Sequence, residues 1–115
     1  MSNPTVIASR PLTFREPGKE PSPGCVEVFQ PTAEDPNDPE SAWYCDIRIS
    51  AIRGGKPLRV FGVDSIQALA LGLRMMRSQL ELFDDYGGNS AWAFEEGDRC
   101  CLSEIARHDH EPDRQ

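Results

Sequence analysis

Leu58-Arg59-Val60-Phe61-Gly62-Val63-Asp64-Ser65-Ile66-Gln67-Ala68-Leu69-Ala70-Leu71-Gly72-Leu73 decides the fold, because its apolar pattern changes period partway along. Leu58 to Val63 carry the β-branched and aromatic content of a strand. From Ile66 the apolar residues recur at spacings of three and four, through Leu69, Leu73, Met76, Leu80 and Phe83. That is the stripe of an amphipathic helix of about five turns, predicted to lie on a sheet. Asp64 stands at the change of period with Gln67 three residues later, a capping-box arrangement. Gly62 just before it lets the chain turn sharply out of the strand. Asp84-Asp85-Tyr86-Gly87-Gly88-Asn89 ends the helix, with Gly87 or Gly88 available for a left-handed cap. Two acids in the last turn oppose the helix dipole, so this end is expected to fray or to find a cation.

Upstream, Trp43, Cys45, Ile47, Ile49 and Ala51 alternate with Tyr44, Asp46, Arg48 and Ser50, the period of a strand with one buried and one exposed face. Gly54-Gly55 predicts a two-residue turn into Leu58–Val63, with Ala51 facing Leu58, Ile49 facing Val60 and Ile47 facing Gly62. Val6 to Phe14 read as a first strand, in which Pro11 marks an edge or a break, and Cys25 to Gln30 as a second. Between the second strand and Trp43, the acidic segment from Pro31 to Ser41 is expected to be a solvated loop. Ala91-Trp92-Ala93-Phe94 reads as a short strand or a buried loop returning two aromatics to the core. The fold class is therefore α+β: an antiparallel β-meander of about four strands, one long amphipathic helix packed on one face, and a short C-terminal strand or loop. The expected domain spans 5–105, followed by a charged, flexible tail over 106–115.

At 115 residues the chain is the size of one domain. Its net charge of −7 repels polyanions, which argues against nucleic acid or an anionic membrane and favours a cationic partner. No stretch is apolar for the length of a bilayer, and Met1 to Thr5 lack a basic, apolar leader, so a cytoplasmic protein is expected. In that setting Cys25, Cys45, Cys100 and Cys101 are expected to be reduced.

Catalytic signatures do not survive inspection. Gly62-Val63-Asp64-Ser65-Ile66 centres on Asp and lacks the second glycine of a nucleophile elbow, so capping explains Asp64 and Ser65 better. Cys100 and Cys101 with His108 and His110 offer zinc-preferred ligands, but adjacent cysteines cannot easily converge on one ion. Asp35-Pro36-Asn37-Asp38-Pro39-Glu40 has the oxygens of a calcium loop without its glycine or closing glutamate. Two surfaces stand out instead. Tyr44, Arg48, Arg59 and Phe61 are expected together on the sheet face away from the helix, a candidate patch for an anion or a peptide. Leu71, Met75 and Leu82 form a second helix stripe, a candidate interface unless the chain's own Trp92, Phe94, Leu102 and Ile105 cover it.

Trp43-Tyr44-Cys45, the Ile47-x-Ile49 strand and above all Gly62 to Leu73, with Arg10 and Leu12, make the sequence resemble a small bacterial domain family of unknown function over about residues 5 to 95. The resemblance implies a bacterial, single-domain protein and carries over no functional residue. The expectation is a protein that is not an enzyme and needs no cofactor: a binding or regulatory module with a protein partner or a second copy of itself. Its sharper form is an acidic, immunity-type inhibitor of a cationic protein. From other classes come a metal or redox protein using Cys100, Cys101, His108 and His110, and an enzyme built on Asp64 or Ser65.

Overall fold

A computed structural model describes residues 5–85, 87–98 and 100. Its strands are β1 (Val6–Arg15), β2 (Ser22–Phe29), β3 (Thr32–Ala33), β4 (Trp43–Ile49), β5 (Leu58–Gly62) and β6 (Ser90–Trp92), with one helix, α1 (Ser65–Asp85). All strand pairs are antiparallel. Tyr44 pairs with both Thr32 and Phe61, and Ile47 with both Val28 and Leu58, so β2 and β3 share one edge of β4 while β5 takes the other. The sheet thus runs β5, β4, β2 continued by β3, β1, β6: a meander of four strands with β6 added to the far edge. This is the expected α+β architecture.

Alternation places Leu12, Phe14, Val26, Val28, Cys45, Ile47, Ile49 and Ala91 on one face, all buried under α1. Pro11 is accommodated because β6 reaches only Thr13, Phe14 and Arg15, so no strand asks for the missing N–H on that side. The helix starts as its sequence dictates. Asp64 Oδ1 accepts the Gln67 N–H at 2.8 Å, and Gln67 Oε1 accepts the Val63 N–H at 2.8 Å, closing the box one residue further out than usual. A Cβ on Gly62 would lie 2.5 Å from the Ala68 nitrogen, so the glycine is needed for the close approach of the helix start to β5, not for a turn. At the other end Asp84 ties the helix to β6: its Oδ1 accepts the Ala91 N–H at 3.3 Å.

Four expectations are corrected. First, the stripe is centred on Ala68, Gly72, Met76 and Leu80; Leu69, Leu73 and Phe83 of the expected stripe pack beside it, and Ile66 alone of the expected residues is out of place, 78% exposed. Ala and Gly read as weakly apolar in a sequence, yet small residues are what bring a helix backbone down onto β-branched side chains. Second, the β4–β5 register places Val60 opposite Cys45 and Leu58 opposite Ile47. The end of β4 belongs to β2: Ile49 pairs Val26, the Ser50 N–H donates to the Cys25 carbonyl at 3.1 Å, and Ser50 Oγ accepts the Cys25 N–H at 3.0 Å. Arg53, Gly54 and Gly55 then take three successive positive φ values, 57, 64 and 78°, in a wider connection than the two-residue turn requires. Because the slip is even, every side chain keeps its face. Third, the strand reading of Ala91–Phe94 holds only for its first part, and neither aromatic enters the core. Trp92 is on the open face and Phe94 is 81% exposed; only Ala91 is buried. Fourth, β2 begins three residues early, at Ser22, taking in Pro23 and Gly24.

Candidate functional site

The helix covers one face of the sheet, which makes the other face the place to look. Tyr44, Asp46 and Arg48 of β4 and Arg59 and Phe61 of β5 point there, with Glu27 of β2 beside them. The four residues of the sequence-derived patch are therefore brought to one face, and the register pairs them in two rows, Tyr44 with Phe61 and Asp46 with Arg59. Arg59 grips the Asp46 carboxylate with both ends of its fork, Nε to Oδ1 at 2.9 Å and Nη2 to Oδ2 at 3.1 Å. The same guanidinium lies 3.7 Å from the centre of the Tyr44 ring, and the Tyr44 and Phe61 rings meet edge to face at 6.2 Å. Arg48 donates to Glu27 Oε1 at 2.7 Å.

Asp46 is buried although it lies on the open face, since Arg59 closes over it. Donating to the Asp46 carboxylate makes Arg59 hold its proton more tightly than free arginine does; partial burial opposes this, and the charges of Asp46, Tyr44 and Glu34 reinforce it. The half-exposed fork makes the pair a positioning device more than a source of stability. Phe61 is 49% exposed, held by its partner ring, and Val63 beyond the strand is exposed further.

Glu34 belongs to the acidic loop, which leaves the sheet at the same end, between β3 and β4. The loop is tied rather than loose. Its base closes with Glu34 N–H to the Ala42 carbonyl at 2.9 Å and Asp35 N–H to Ser41 Oγ at 2.8 Å. Asp35 Oδ1 accepts the Asn37 N–H and Asp38 Oδ1 accepts the Glu40 N–H, so both carboxylates turn the backbone instead of gathering round a cation. Glu34, Asp35, Asp38 and Glu40 are all exposed.

The second helix stripe is less uniform. Met75 packs against the core, Leu71 is half-buried, and Leu82 is 62% exposed. Of its proposed cover, Phe94 stands out in solvent, and Leu102 and Ile105 lie outside the described residues, as do Cys101, His108, His110 and the tail over 106–115. Cys100 is buried, its N–H donating to Asp98 Oδ1 at 2.9 Å and its carbonyl accepting from Arg10 Nη1 at 2.7 Å. Among the described residues no three His, Cys, Asp or Glu side chains come together as a metal-holding group. Burial, reinforced by Asp46, raises the Cys45 thiol, which packs as a small hydrophobe with Sγ on the Phe29 carbonyl at 3.4 Å.

Two features escape sequence reasoning. Asp98 receives the N–H groups of Ala93, Phe94, Glu95 and Cys100, and the turn-forming Glu95-Glu96-Gly97-Asp98 is its only local sign. An apolar cavity of about 190 Å³ lies between β1, β2 and α1, lined in part by Leu12, Val28, Leu73 and Met76. It is smaller than the several hundred Å³ of a usual small-molecule pocket, and no local pattern marks it.

No helix among the described residues is long and apolar enough to cross a membrane. Searches of curated proteins and of solved structures each return no match. The family described as "Domain of unknown function (DUF6968)" matches residues 8–102, a stretch that reaches past Cys100 and Cys101 at its C-terminal side, and the chain belongs to that family.

Proposed function

We propose that the protein is a noncatalytic binding module that holds another protein against the open face of its sheet. The observation that carries this reading is the Tyr44–Phe61 pair: two aromatic rings set edge to face in a frame fixed by the Arg59–Asp46 fork, with Phe61 half in solvent. A rigid, partly exposed aromatic anchor with a polar surround is the usual composition of a protein-binding hot spot. The Arg15, Arg48 and Arg59 guanidiniums on this face are each engaged by a carboxylate, which favours a peptide surface over a free anion or nucleic acid. The proposed setting is the cytoplasm, and the proposed partner carries positive charge, complementing a chain of net charge −7.

The test is a comparison of immobilised wild type, Phe61→Ser and a control, Glu20→Ser, in the exposed turn between β1 and β2, each verified as folded by circular dichroism. A protein retained by wild type and control, lost from Phe61→Ser, and bound again at least tenfold more tightly by wild type after purification supports the reading. Identical retention by all three sinks it.

The immunity-type form of this proposal has its own support in the acidic loop, whose carboxylates are exposed on a backbone already tied into shape. A preorganised acidic surface loses little entropy on meeting a cationic protein.

A further inference from the structure

Among the described residues the sheet has two long edges with no partner strand, and they are not equivalent. Beyond the reach of β6, the outer edge of β1 is interrupted by Pro11, which has no N–H, and by a register shift between Val6 and Ala8. A proline and a bulge are two of the devices by which native sheets prevent another strand from adding. The outer edge of β5 carries neither: among the described residues Leu58–Gly62 pair only with β4, in unbroken register from Trp43↔Gly62 to Ile47↔Leu58. Its one charged side chain, Arg59, would guard the edge if it pointed outward. Instead it is drawn back over Tyr44 and onto Asp46.

We propose that the free edge of β5 is a strand-addition site, and that its occupant is an extended, basic segment of a partner protein with alternating apolar residues. The inference rests on the binding-module reading and specifies how that binding occurs. In an antiparallel pair every other residue directs its N–H and C=O away from its partner, so β5 offers a ladder to an incoming chain. An added strand would set alternate side chains beside Phe61 and Arg59 on the open face, and the others beside half-buried Leu58 and Val60 at the rim of α1. Its positive charge is argued from the acidic loop. Trp43, where that loop rejoins the sheet, pairs with Gly62 at the end of β5, and Glu34 is within electrostatic reach of Arg59.

The probe is a synthetic decapeptide of alternating lysine and valine, together with the same peptide N-methylated at every second residue. N-methylation removes ladder donors and keeps the charge and side chains. Wild type is expected to bind the unmodified peptide at least tenfold more tightly than the methylated one, with slowed amide exchange confined to β5. Phe61→Ser is expected to weaken the unmodified peptide at least threefold. A control chain with Glu16→Gln, Glu20→Gln and Asp85→Asn is expected to bind like wild type, whereas Glu34→Gln, Asp35→Asn, Asp38→Asn and Glu40→Gln together should lose most of the affinity. Equal affinity for the two peptides, no binding, or protection on β1 instead of β5 would overturn strand addition. If the two peptides bind equally but Phe61→Ser still weakens both, the binding-face reading stands without it; if Phe61→Ser changes nothing, that reading fails as well.

Discussion

Among the described residues, Asp98 is the carboxylate that organises the most backbone. Burial by itself would raise its pKa, but the N–H groups of Phe94, Ala93, Glu95 and Cys100 outweigh that and hold it down to about 2. An aspartate in an unfolded chain titrates near 4. The native state therefore gains from ionised Asp98 at all pH values above about 4, and loses that gain as pH falls through 4 toward 2. Asp98→Asn is expected to cost about 1 kcal/mol at pH 7, a modest figure for charge-assisted bonds because the side chain is partly in solvent. In urea titrations the gap between wild type and Asp98→Asn should narrow from pH 4 to pH 2; a gap that stays constant would show the carboxylate charge to be irrelevant. Sequence alone does not reveal this residue, since an aspartate in a glycine turn looks the same whether it collects one N–H or four. Gly62 is a milder case. Its need for glycine is legible, but its reason, a helix backbone passing within a Cβ's reach, exists only once α1 is docked.

For whole elements the periodic signals serve well and the pairings serve less well. The alternation in β4 and the start of α1 were both legible, because each depends on residues within a few positions of one another. The β4–β5 register was not, because it depends on a competition between β5 and β2 for the end of β4 that no window around Gly54-Gly55 contains. The patch of Tyr44, Arg48, Arg59 and Phe61 was nonetheless assigned to one face, since an even slip preserves sides. Of the expected helix stripe, Leu69, Leu73, Met76, Leu80 and Phe83 do pack on the core; Ile66 does not, and small Ala68 and Gly72, whose apolar signal is weak, lie against the sheet instead. Leu80→Ala should therefore cost about 2 to 5 kcal/mol, whereas Ile66→Ser should stay within about 0.5 kcal/mol. Equilibrium denaturation of the two variants checks this, and a large loss from Ile66→Ser would put the helix the wrong way round.

Taken whole, the molecule places its acid at the periphery. The exposed carboxylates of the 34–40 loop crowd one end of the sheet, and at a net charge of −7 such surfaces repel one another. Thermal unfolding midpoints should accordingly rise by about 3 °C between 10 and 300 mM sodium chloride, as the Debye length contracts below the spacing of surface charges. A midpoint that falls would mean that the Arg48–Glu27 and Arg59–Asp46 pairs contribute more than the repulsion. Charge at this scale was legible from composition, while the cavity beneath α1 was not, since it is bounded by residues from β1, β2, α1 and Cys100 that only the finished fold brings together.

The contact between Gly72 and Cys45 unites these scales. A methyl group at position 72 would come within 3.1 Å of the Cys45 sulfur and 3.4 Å of its Cβ, so the two positions share one fixed allotment of space. Neither can grow alone. Among related chains the pair should drift together, an alanine on the helix answered by an alanine on the strand, and a relative that breaks this exchange would have to carry its helix further from its sheet.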